Sequence, residues 1–309
     1  MEIAVLHNPT AGDRELSHRD LLALLRRAGY RPEYFSSKEG AWKKPHALRG
    51  AEMIVVAGGD GSVKKAILQL HGYELPFALL PLGTANNICA SLGIVGKPKR
   101  IVATWPRARR DWIDLGIARG PWGERMFVES AGIGLIGRAI GIMASVGQAT
   151  SHQLENREDR MHRDASVILA LAHELRPVRI KVSADRRRAT SDDYLLLEVM
   201  NISRAGPGLV MAPRADPTDG WFNLVSATIG ERARLKRALA ESIGGIARRT
   251  ALSRGKIRSL HLEFGAGEFR LDDKVVWSRD ARPRGSRVSP VCVEISLKPA
   301  AAEVLLPRE

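Results

Sequence analysis

The stretch GGDGS at residues 58–62 combines three glycines with a carboxylate and a hydroxyl. Gly58, Gly59 and Gly61 let the backbone approach a ligand closely, and successive backbone N–H groups in such a turn bind anions. An apolar run precedes the turn and a helical pattern follows it, so the helix N-terminus adds partial positive charge. We predict a phosphate-binding turn, although a tight turn with a solvated aspartate would also explain GGDGS alone.

Asp60 requires a different explanation, because a carboxylate repels bare phosphate. A carboxylate among phosphates suits a Mg²⁺ bridge, or it accepts the proton of an attacking hydroxyl. We predict one of these roles for Asp60, while Ser62 offers a hydroxyl at or near the helix N-cap. The sequence contains neither GxxxxGK[ST] nor GxGxxG, so a Walker P-loop and a dinucleotide fingerprint do not apply.

Alternating strands and helices are expected to position this turn. The strand patterns are EIAVLHN, PEYF, MIVVA and PFALLPLG, with helical patterns between them, one of them at 41–50. Such alternation predicts a parallel sheet covered by helices on both faces, and ligands bind at the carboxyl ends of its strands. Three turns follow three of these strands and should meet at one edge of the sheet: NPTAG, GGDGS and PLGTANN.

The pattern changes after residue 111 to short runs with strand character. Polar and apolar residues alternate clearly in VRIKVSA and VCVEISL, and one helical stretch at 231–251 interrupts the strands. This predicts a mostly antiparallel β-sandwich. We expect two domains, a three-layer α/β nucleotide-binding domain at 1–111 and a β-sandwich domain at 112–309, with the last residues free to pack back on the first domain.

Composition excludes several classes of protein. A hydrophobic share of 44% rules against disorder. No apolar stretch reaches the roughly 18 residues that a spanning helix needs, and the N-terminus lacks the pattern of a signal peptide, so we expect a cytoplasmic protein. Two distant cysteines are expected as reduced thiols, and the eight histidines form no cluster with metal-ligand spacing.

The net charge is the unusual feature of the composition. Lys plus Arg number 48 against 34 Asp plus Glu, a formal net charge of +14. Such an excess favours a polyanionic partner, which would be nucleic acid, an anionic membrane surface or phosphates. The basic residues are scattered in short groups without a known nucleic-acid motif, so charge alone does not choose the partner.

The three turns together resemble the diacylglycerol kinase catalytic domain family, which includes bacterial lipid kinases, sphingosine kinases and ceramide kinases and is distantly related to NAD kinases. Segments of the second half are similar in family order, namely IDLG, FVESAGIGLIG, GPGLVMAPRADPTDGWFNLV and CVEISLKPAAAEVLLP. The resemblance covers nearly the whole chain. It implies an α/β nucleotide domain and a β-sandwich lipid domain, with ATP in the cleft between them.

The resemblance also implies ligands for ATP and for Mg²⁺. The residues expected to line the nucleotide are Asn8, Pro9, Thr10, Ala11, Gly12, Ser36, Gly58, Gly59, Asp60, Gly61, Ser62, Val63, Lys64, Lys65, Gly83, Thr84 and Asn86. Mg²⁺ would be bound by the Asp219 carboxylate, with Asp216 and Trp221 beside it. Considered without the resemblance, ADPTDG is typical of a polar hairpin turn.

Three departures from the family pattern bear on the chemistry. Lys64 and Lys65 replace an amide and a carboxylate, and Asn87 stands where bacterial diacylglycerol kinases commonly carry aspartate. The family's late DGE motif, whose glutamate is the proposed base, matches LDDKVV, with Lys274 in place of the glutamate. A protonated lysine cannot accept a proton, so either Lys274 is a phosphate clamp and an aspartate serves as the base, or the protein has lost the reaction. The candidates for the base are Asp60, Asp272 and Asp273.

We expect transfer of the ATP γ-phosphoryl group to the hydroxyl of a diacylglycerol-type lipid. A ceramide or sphingoid-base kinase and a non-catalytic nucleotide- or lipid-binding member are alternatives. The sandwich segments and PLGTANN argue against an NAD-kinase-like enzyme, and a nucleic-acid binder explains only the charge.

The charge of +14 suits a peripheral enzyme on the anionic inner face of a membrane. The segment 231–251 has an apolar face that would lie on the membrane or pack in the core, formed by Leu235, Leu239, Ile243 and Ile246. A homodimer is left open.

Overall fold

The computed structural model describes residues 1–12, 16–44, 47–149, 156–245, 252–280 and 289–308. The chain divides into two compact units. The first unit is formed by Met1–Asp114 and Pro299–Glu309, and the second by Leu115–Lys298. The sequence places the boundary after residue 111 and the C-terminal residues in the second domain, with the last residues free to pack back on the first, and Pro299–Glu309 belong to the first unit.

The first unit contains a parallel sheet. Its strands β1 (Glu2–His7), β2 (Arg31–Ser36), β3 (Met53–Gly58) and β4 (Phe77–Pro81) are ordered β4-β3-β1-β2, and each neighbouring pair is parallel. All six residues of β3 and five of the six in β1 are buried. Strands covered on both faces show this pattern, and the predicted α/β fold is confirmed.

The helices of the first unit follow the strands in the predicted alternation. They are α1 (His18–Arg27), α2 (Asp60–Leu70), α3 (Asn87–Ser91) and α4 (Pro98–Thr104). The helix predicted at 41–50 is wrong, because the described residues of this stretch contain a 3₁₀ turn at Ala41–Lys43 and no α-helix. Lys44 is extended (φ −76°, ψ 137°), as the residue before a proline generally is, and Pro45 follows it in the sequence.

The second unit is mostly antiparallel, as predicted. Its strands are β5 (Arg109–Gly120), β6 (Gly123–Phe127), β7 (Ser130–Gly134), β8 (Val178–Ala184), β9 (Thr190–Met200), β10 (Arg204–Ala205), β11 (Leu209–Val210), β12 (Phe222–Thr228), β13 (Ser253–Ile257), β14 (Ser259–Phe264), β15 (Gly267–Leu271), β16 (Lys274–Arg279) and β17 (Val291–Leu306). The longest run of paired strands has the order β16-β15-β7-β9-β8-β14-β17, and β12 pairs with β9 and β13. β5 and β17 carry the chain from one unit to the other.

The second unit also has two helices that the sequence analysis does not predict, α5 (Leu135–Ala149) and α6 (Arg157–Glu174). The stretch that forms α5 is apolar on nearly all sides and rich in glycine, so helical periodicity is weak there. Within the residues described, no helix is long and apolar enough to cross a membrane.

The third helix of the second unit is α7 (Arg232–Ile243), within the predicted stretch 231–251. Leu235 and Leu239 are fully buried in an apolar core shared with α5, α6 and β9. This face therefore packs in the core, and the alternative that it lies on a membrane is wrong. Ile246 lies outside the described residues.

Candidate functional site

The turns that follow β3 and β4 pack closely in the first unit. The N–H of Leu82 donates to the carbonyl of Gly58 at 2.9 Å. Asp60 Oδ1 accepts the N–H of Ile88 at 2.9 Å, which ties the first turn of α2 to the first turn of α3. The carboxylate predicted to act on phosphates is thus oriented by a backbone donor.

Three glycines of these turns are required by contacts within the chain. A Cβ on Gly83 would lie 2.2 Å from the Cα of Gly59, and a Cβ on Gly59 would lie 2.8 Å from the Cα of Gly83. Gly12 has φ +56°, and a Cβ there would lie 2.3 Å from the carbonyl oxygen of Leu82. The turn after β1 therefore meets the turn after β4, so all three turns lie together.

Gly61 differs from these glycines. It is exposed in the first turn of α2, its φ is not positive, and nothing lies within 4 Å of a Cβ built on it. Glycine in a helix is less stable than alanine by roughly 0.5–1 kcal/mol. Packing of the chain therefore gives no reason for glycine here, whereas a ligand close to the backbone does.

Asparagines hold the shapes of two of the turns. Asn8 Oδ1 accepts the N–H of Thr10 at 3.2 Å and its hydroxyl at 3.1 Å, and the N–H of Ala11 donates to the Asn8 carbonyl at 3.1 Å. Asn86 is buried with φ 51°, and its amide makes two 2.9 Å hydrogen bonds with the backbone of Gly83. Both side chains therefore stabilise the conformation of their own turns. Pro9 and Thr10 are the exposed residues of the NPTAG turn.

The predicted nucleotide residues on α2 point in different directions. Val63 and Lys64 are buried, whereas Lys65 is exposed. Lys65 Nζ donates to the carbonyl of Ser37 at 2.9 Å and lies 5.4 Å from the centroid of the Trp42 ring. Lys65 thus links α2 to the segment after β2.

Three of the predicted nucleotide residues carry a hydroxyl. Ser36 Oγ accepts the N–H of Lys38 at 3.3 Å, and Ser62 lies so close to Gly58 that a Cβ on that glycine would be 2.7 Å from Ser62 Oγ. Ser36, Ser62 and Thr84 are half-buried, so each hydroxyl is partly accessible.

His7 is a residue of this region that the sequence analysis does not single out. It is the buried last residue of β1, and its Nδ1 lies 3.3 Å from the hydroxyl of Tyr34. Burial lowers the pKa of His7, and the charge of His18 lowers it further. The sequence does carry a signal for His7, because this histidine ends a buried strand directly before a predicted ligand-binding turn.

The second unit holds the other predicted acidic residues in a hairpin. EFRLDDKVV is one of the short runs with strand character in the sequence, but Leu271 pairs with Lys274 across a two-residue loop. Asp272 is buried with φ 54°, while Asp273 and Lys274 are exposed. Asp272 Oδ1 accepts hydrogen bonds from three successive backbone N–H groups, those of Val128, Glu129 and Ser130 at 3.2, 2.7 and 3.3 Å.

A buried ion pair that the sequence analysis missed supports this hairpin. Arg270 Nη2 lies 2.7 Å from Glu198 Oε2, and both side chains are at most 2% exposed. The guanidinium also donates to Ser130 Oγ at 3.0 Å and to the carbonyl of Asp272. Burial raises the pKa of Glu198, and Arg270 opposes the rise.

The sheet register explains how these two charges meet. Gly132 of β7 is paired with Glu198 of β9 on one side and with Arg270 of β15 on the other. A Cβ on Gly132 would lie 2.1 Å from Glu198 Oε2. The glycine therefore leaves the space over β7 in which the two side chains form their ion pair.

The predicted Mg²⁺ residues form a compact turn in the second unit. Asp216 Oδ1 accepts the N–H and the hydroxyl of Thr218 at 2.9 and 2.8 Å. Asp219 Oδ1 accepts the N–H of Trp221 at 2.9 Å, and its Oδ2 accepts from Lys256 Nζ. Across the described ranges, no three His, Cys, Asp or Glu side chains are grouped to hold a metal. Mg²⁺ at Asp219 would have to displace Lys256.

Family models match both units. Residues 2–118 match the diacylglycerol kinase catalytic domain, and residues 139–306 match the YegS C-terminal NAD kinase beta sandwich-like domain. The chain is 27% identical over 263 residues to "Diacylglycerol kinase" of Mycobacterium tuberculosis, with 84% of this chain and 78% of that protein covered. It is 26% identical over 248 residues to "Probable lipid kinase YegS-like" of Stenotrophomonas maltophilia, with coverage of 74% and 76%.

Solved structures share the fold. A crystal structure of a diacylglycerol kinase from Bacillus anthracis matches with a TM-score of 0.69 at 17% identity, covering 99% of this chain and 96% of that one. An NAD kinase from Archaeoglobus fulgidus in complex with ATP matches with a TM-score of 0.51 at 12% identity, covering 100% and 94%. Because both family domains are matched in order along the chain, the protein belongs to the family of diacylglycerol kinases and YegS-like lipid kinases.

Proposed function

We propose that the protein transfers the γ-phosphoryl group of ATP to the hydroxyl of a diacylglycerol-type lipid. The observation that carries the nucleotide part is the open backbone at Gly61, in the first turn of α2 and beside the packed turns. Helix N-termini attract phosphate through their N–H groups and dipole. Membership in a lipid kinase family supports the reaction and the class of acceptor.

The first unit would bind and orient the nucleotide. ATP is proposed to enter as its Mg²⁺ complex, in which the metal neutralises phosphate charge. Asp60 is the carboxylate at the turn, and the Ile88 N–H holds its orientation. Asp60 therefore fits the task of holding the phosphate-bound metal or of receiving the proton of the acceptor hydroxyl.

The acidic residues of the β15–β16 hairpin contribute unequally to this proposal. Asp272 Oδ1 is occupied by backbone donors, so we assign it to the structure of the hairpin. Asp273 and Lys274 are exposed and could contact a substrate. We therefore place Asp60 first as the base, Asp273 second, and Lys274 as a phosphate clamp.

Gly61→Ala tests the nucleotide site without disturbing the fold. Gly72 is the matched control, because it too has open space around a Cβ and lies beyond the other end of α2. Isothermal titration should show ATP binding weakened by about tenfold or more in Gly61→Ala, an effect of about 1.4 kcal/mol. Gly72→Ala should bind ATP like the wild type. Equal binding by both variants would contradict the proposed site.

Radiolabelled ATP and a panel of acceptors test the reaction. The label should pass to diacylglycerol. Transfer to ceramide or a sphingoid base instead would identify that lipid as the substrate. Transfer to NAD alone would indicate an NAD kinase, and ATP binding without transfer would indicate a non-catalytic protein. Asp60→Asn should reduce kcat by orders of magnitude, since it removes the charge but almost none of the volume.

Lys274→Ala and Lys274→Glu test the clamp. Lys274 is exposed at the start of β16, so both variants should fold. Both should transfer less phosphate than the wild type, because each variant removes the positive charge that is proposed to clamp phosphate. A more active Lys274→Glu variant would instead show that the lysine impairs the family's reaction.

A further inference from the structure

One segment of the first unit, residues 95–112, concentrates positive charge; we name it the basic segment. It has six basic residues and one acidic residue, so five of the chain's +14 net charges lie within it. All six basic side chains are exposed: Lys97, Lys99, Arg100, Arg107, Arg109 and Arg110.

Most of this charge is not used within the described part of the chain. Arg109 pairs with Asp111, and Arg110 lies 3.8 Å from Glu303 Oε2. The other four basic side chains have no ion pair or side-chain hydrogen bond to any described residue, and these are Lys97, Lys99, Arg100 and Arg107. They are therefore available to a partner.

The basic segment also exposes apolar surface. An apolar groove of about 130 Å³ lies in the first unit, and its lining includes Val95, Arg100, Trp105, Ala108 and Leu306. Since Arg100 and Ala108 line the same groove, the basic residues at 97–100 and at 107–110 both lie beside it. Val95 is 68% exposed and Trp112 is 43% exposed, although both are large hydrophobic residues.

We propose that the basic segment docks on the anionic surface of a lipid bilayer. Basic residues near such a surface contribute about 1 kcal/mol each, and tryptophan favours the headgroup layer. Lys97, Lys99, Arg100 and Arg107 would contact lipid phosphates, with Val95 and Trp112 in the headgroup layer. A nucleic acid would match the charge but not the exposed valine and the apolar groove. The docking role rests on the proposed function, since a lipid acceptor lies in a membrane.

The test measures binding of the full chain to phosphatidylcholine vesicles with and without phosphatidylglycerol, in the absence of ATP. Lys99→Gln/Arg107→Gln removes two charges from the basic segment, and Arg187→Gln/Arg188→Gln removes two exposed charges from the second unit as the matched control. We expect the first pair to weaken binding to anionic vesicles by about 30-fold, the equivalent of about 1 kcal/mol for each residue. The control pair should change binding by less than about threefold, because salt screens exposed charges that do not contact the vesicle surface.

Salt and a third variant separate the charged and apolar contributions. Wild-type binding should weaken as salt rises, and Val95→Ser should weaken binding at low and at high salt alike. All variants should keep wild-type activity on a short-chain lipid in detergent, since these residues lie outside the nucleotide turns. A protein that docks through this segment but transfers no phosphate would refute the kinase proposal and leave the docking surface standing.

Several results would overturn the docking proposal. They are equal binding to neutral and anionic vesicles, equal weakening by the two double variants, and no vesicle binding at all. Tighter binding to duplex DNA or RNA than to anionic vesicles, lost in the Lys99→Gln/Arg107→Gln variant, would assign the segment to nucleic acid instead.

Discussion

Replacing Asp272 with asparagine tests whether its carboxylate is a structural anchor of the β15–β16 hairpin. Asparagine keeps one oxygen for the backbone donors at Val128–Ser130 but loses the charge. Its NH₂ group would take the position of Oδ2, which lies 3.3 Å from the Val128 nitrogen, so two donors would face each other. The substitution should therefore weaken all three hydrogen bonds while it preserves the volume of the side chain.

The magnitude follows from the geometry of the three bonds. Hydrogen bonds to charged groups contribute about 1.5–3 kcal/mol, against about 0.5–1.5 kcal/mol for neutral ones. Only the Glu129 bond is short, at 2.7 Å, while the other two exceed 3 Å. We therefore expect a loss of about 2–4 kcal/mol, a large part of the roughly 5–15 kcal/mol that stabilises a typical protein.

Hydrogen exchange gives a local measurement of this loss. Amide protection at 128–130 should fall in Asp272→Asn, together with the thermal unfolding midpoint. Asp273→Asn is the matched control, because the same change at an exposed neighbour should alter stability by less than about 0.5 kcal/mol. If both variants kept wild-type protection, Asp272 would not be a structural anchor and would return to the candidates for the base.

Three further predictions concern the buried charges and the candidate metal turn. Arg270→Met leaves Glu198 buried without its partner and should destabilise the protein by about 3–5 kcal/mol in thermal unfolding, while adding Glu198→Leu should recover most of that loss. Lys256→Ala frees Asp219, so titration with Mg²⁺ alone should show tighter binding if the turn is a metal site. Because the pKa of His7 is lowered, the folded protein holds fewer protons than the unfolded chain between the folded pKa and the ordinary pKa of 6.5. Stability should therefore be full above pH 6.5 and fall as the pH drops toward the folded pKa, and urea unfolding of His7→Asn should lack this decline.

The sequence predicted the fold of the first unit well because its signals are local. Runs such as MIVVA are buried on both faces, and helices with clear periodicity separate them, so a parallel sheet covered by helices follows from general rules. The failure at 41–50 is also local, because Pro45 in the middle of that stretch disfavours a helix.

The missed helices and the missed hairpin have different causes. In α5 the apolar residues cover nearly the whole surface, so periodicity could not separate a buried helix from strands. In EFRLDDKVV, the two aspartates are typical of a turn, but the strand-like residues on both sides of them hide this signal. The aspartates then lie at the corner of the hairpin, where one is buried and the other is exposed.

The Arg270–Glu198 pair could not be predicted, because it depends on register between strands far apart in the sequence. Each residue is a single charge in a strand that is otherwise largely apolar, which is a signal for a buried partner but does not identify it. The partner is fixed only when β7 lies between β9 and β15, with Gly132 level with both charges.

The glycines of the turns show why a sequence motif alone overstates the evidence for a bound ligand. Gly12, Gly59 and Gly83 are all predicted to line the nucleotide, yet contacts between the turns already require each of them. Their presence would be the same in a protein that had lost its nucleotide. Gly61 has no such requirement, and a helix would be more stable with alanine there. The nucleotide proposal is therefore strongest at the glycine that the rest of the chain does not need.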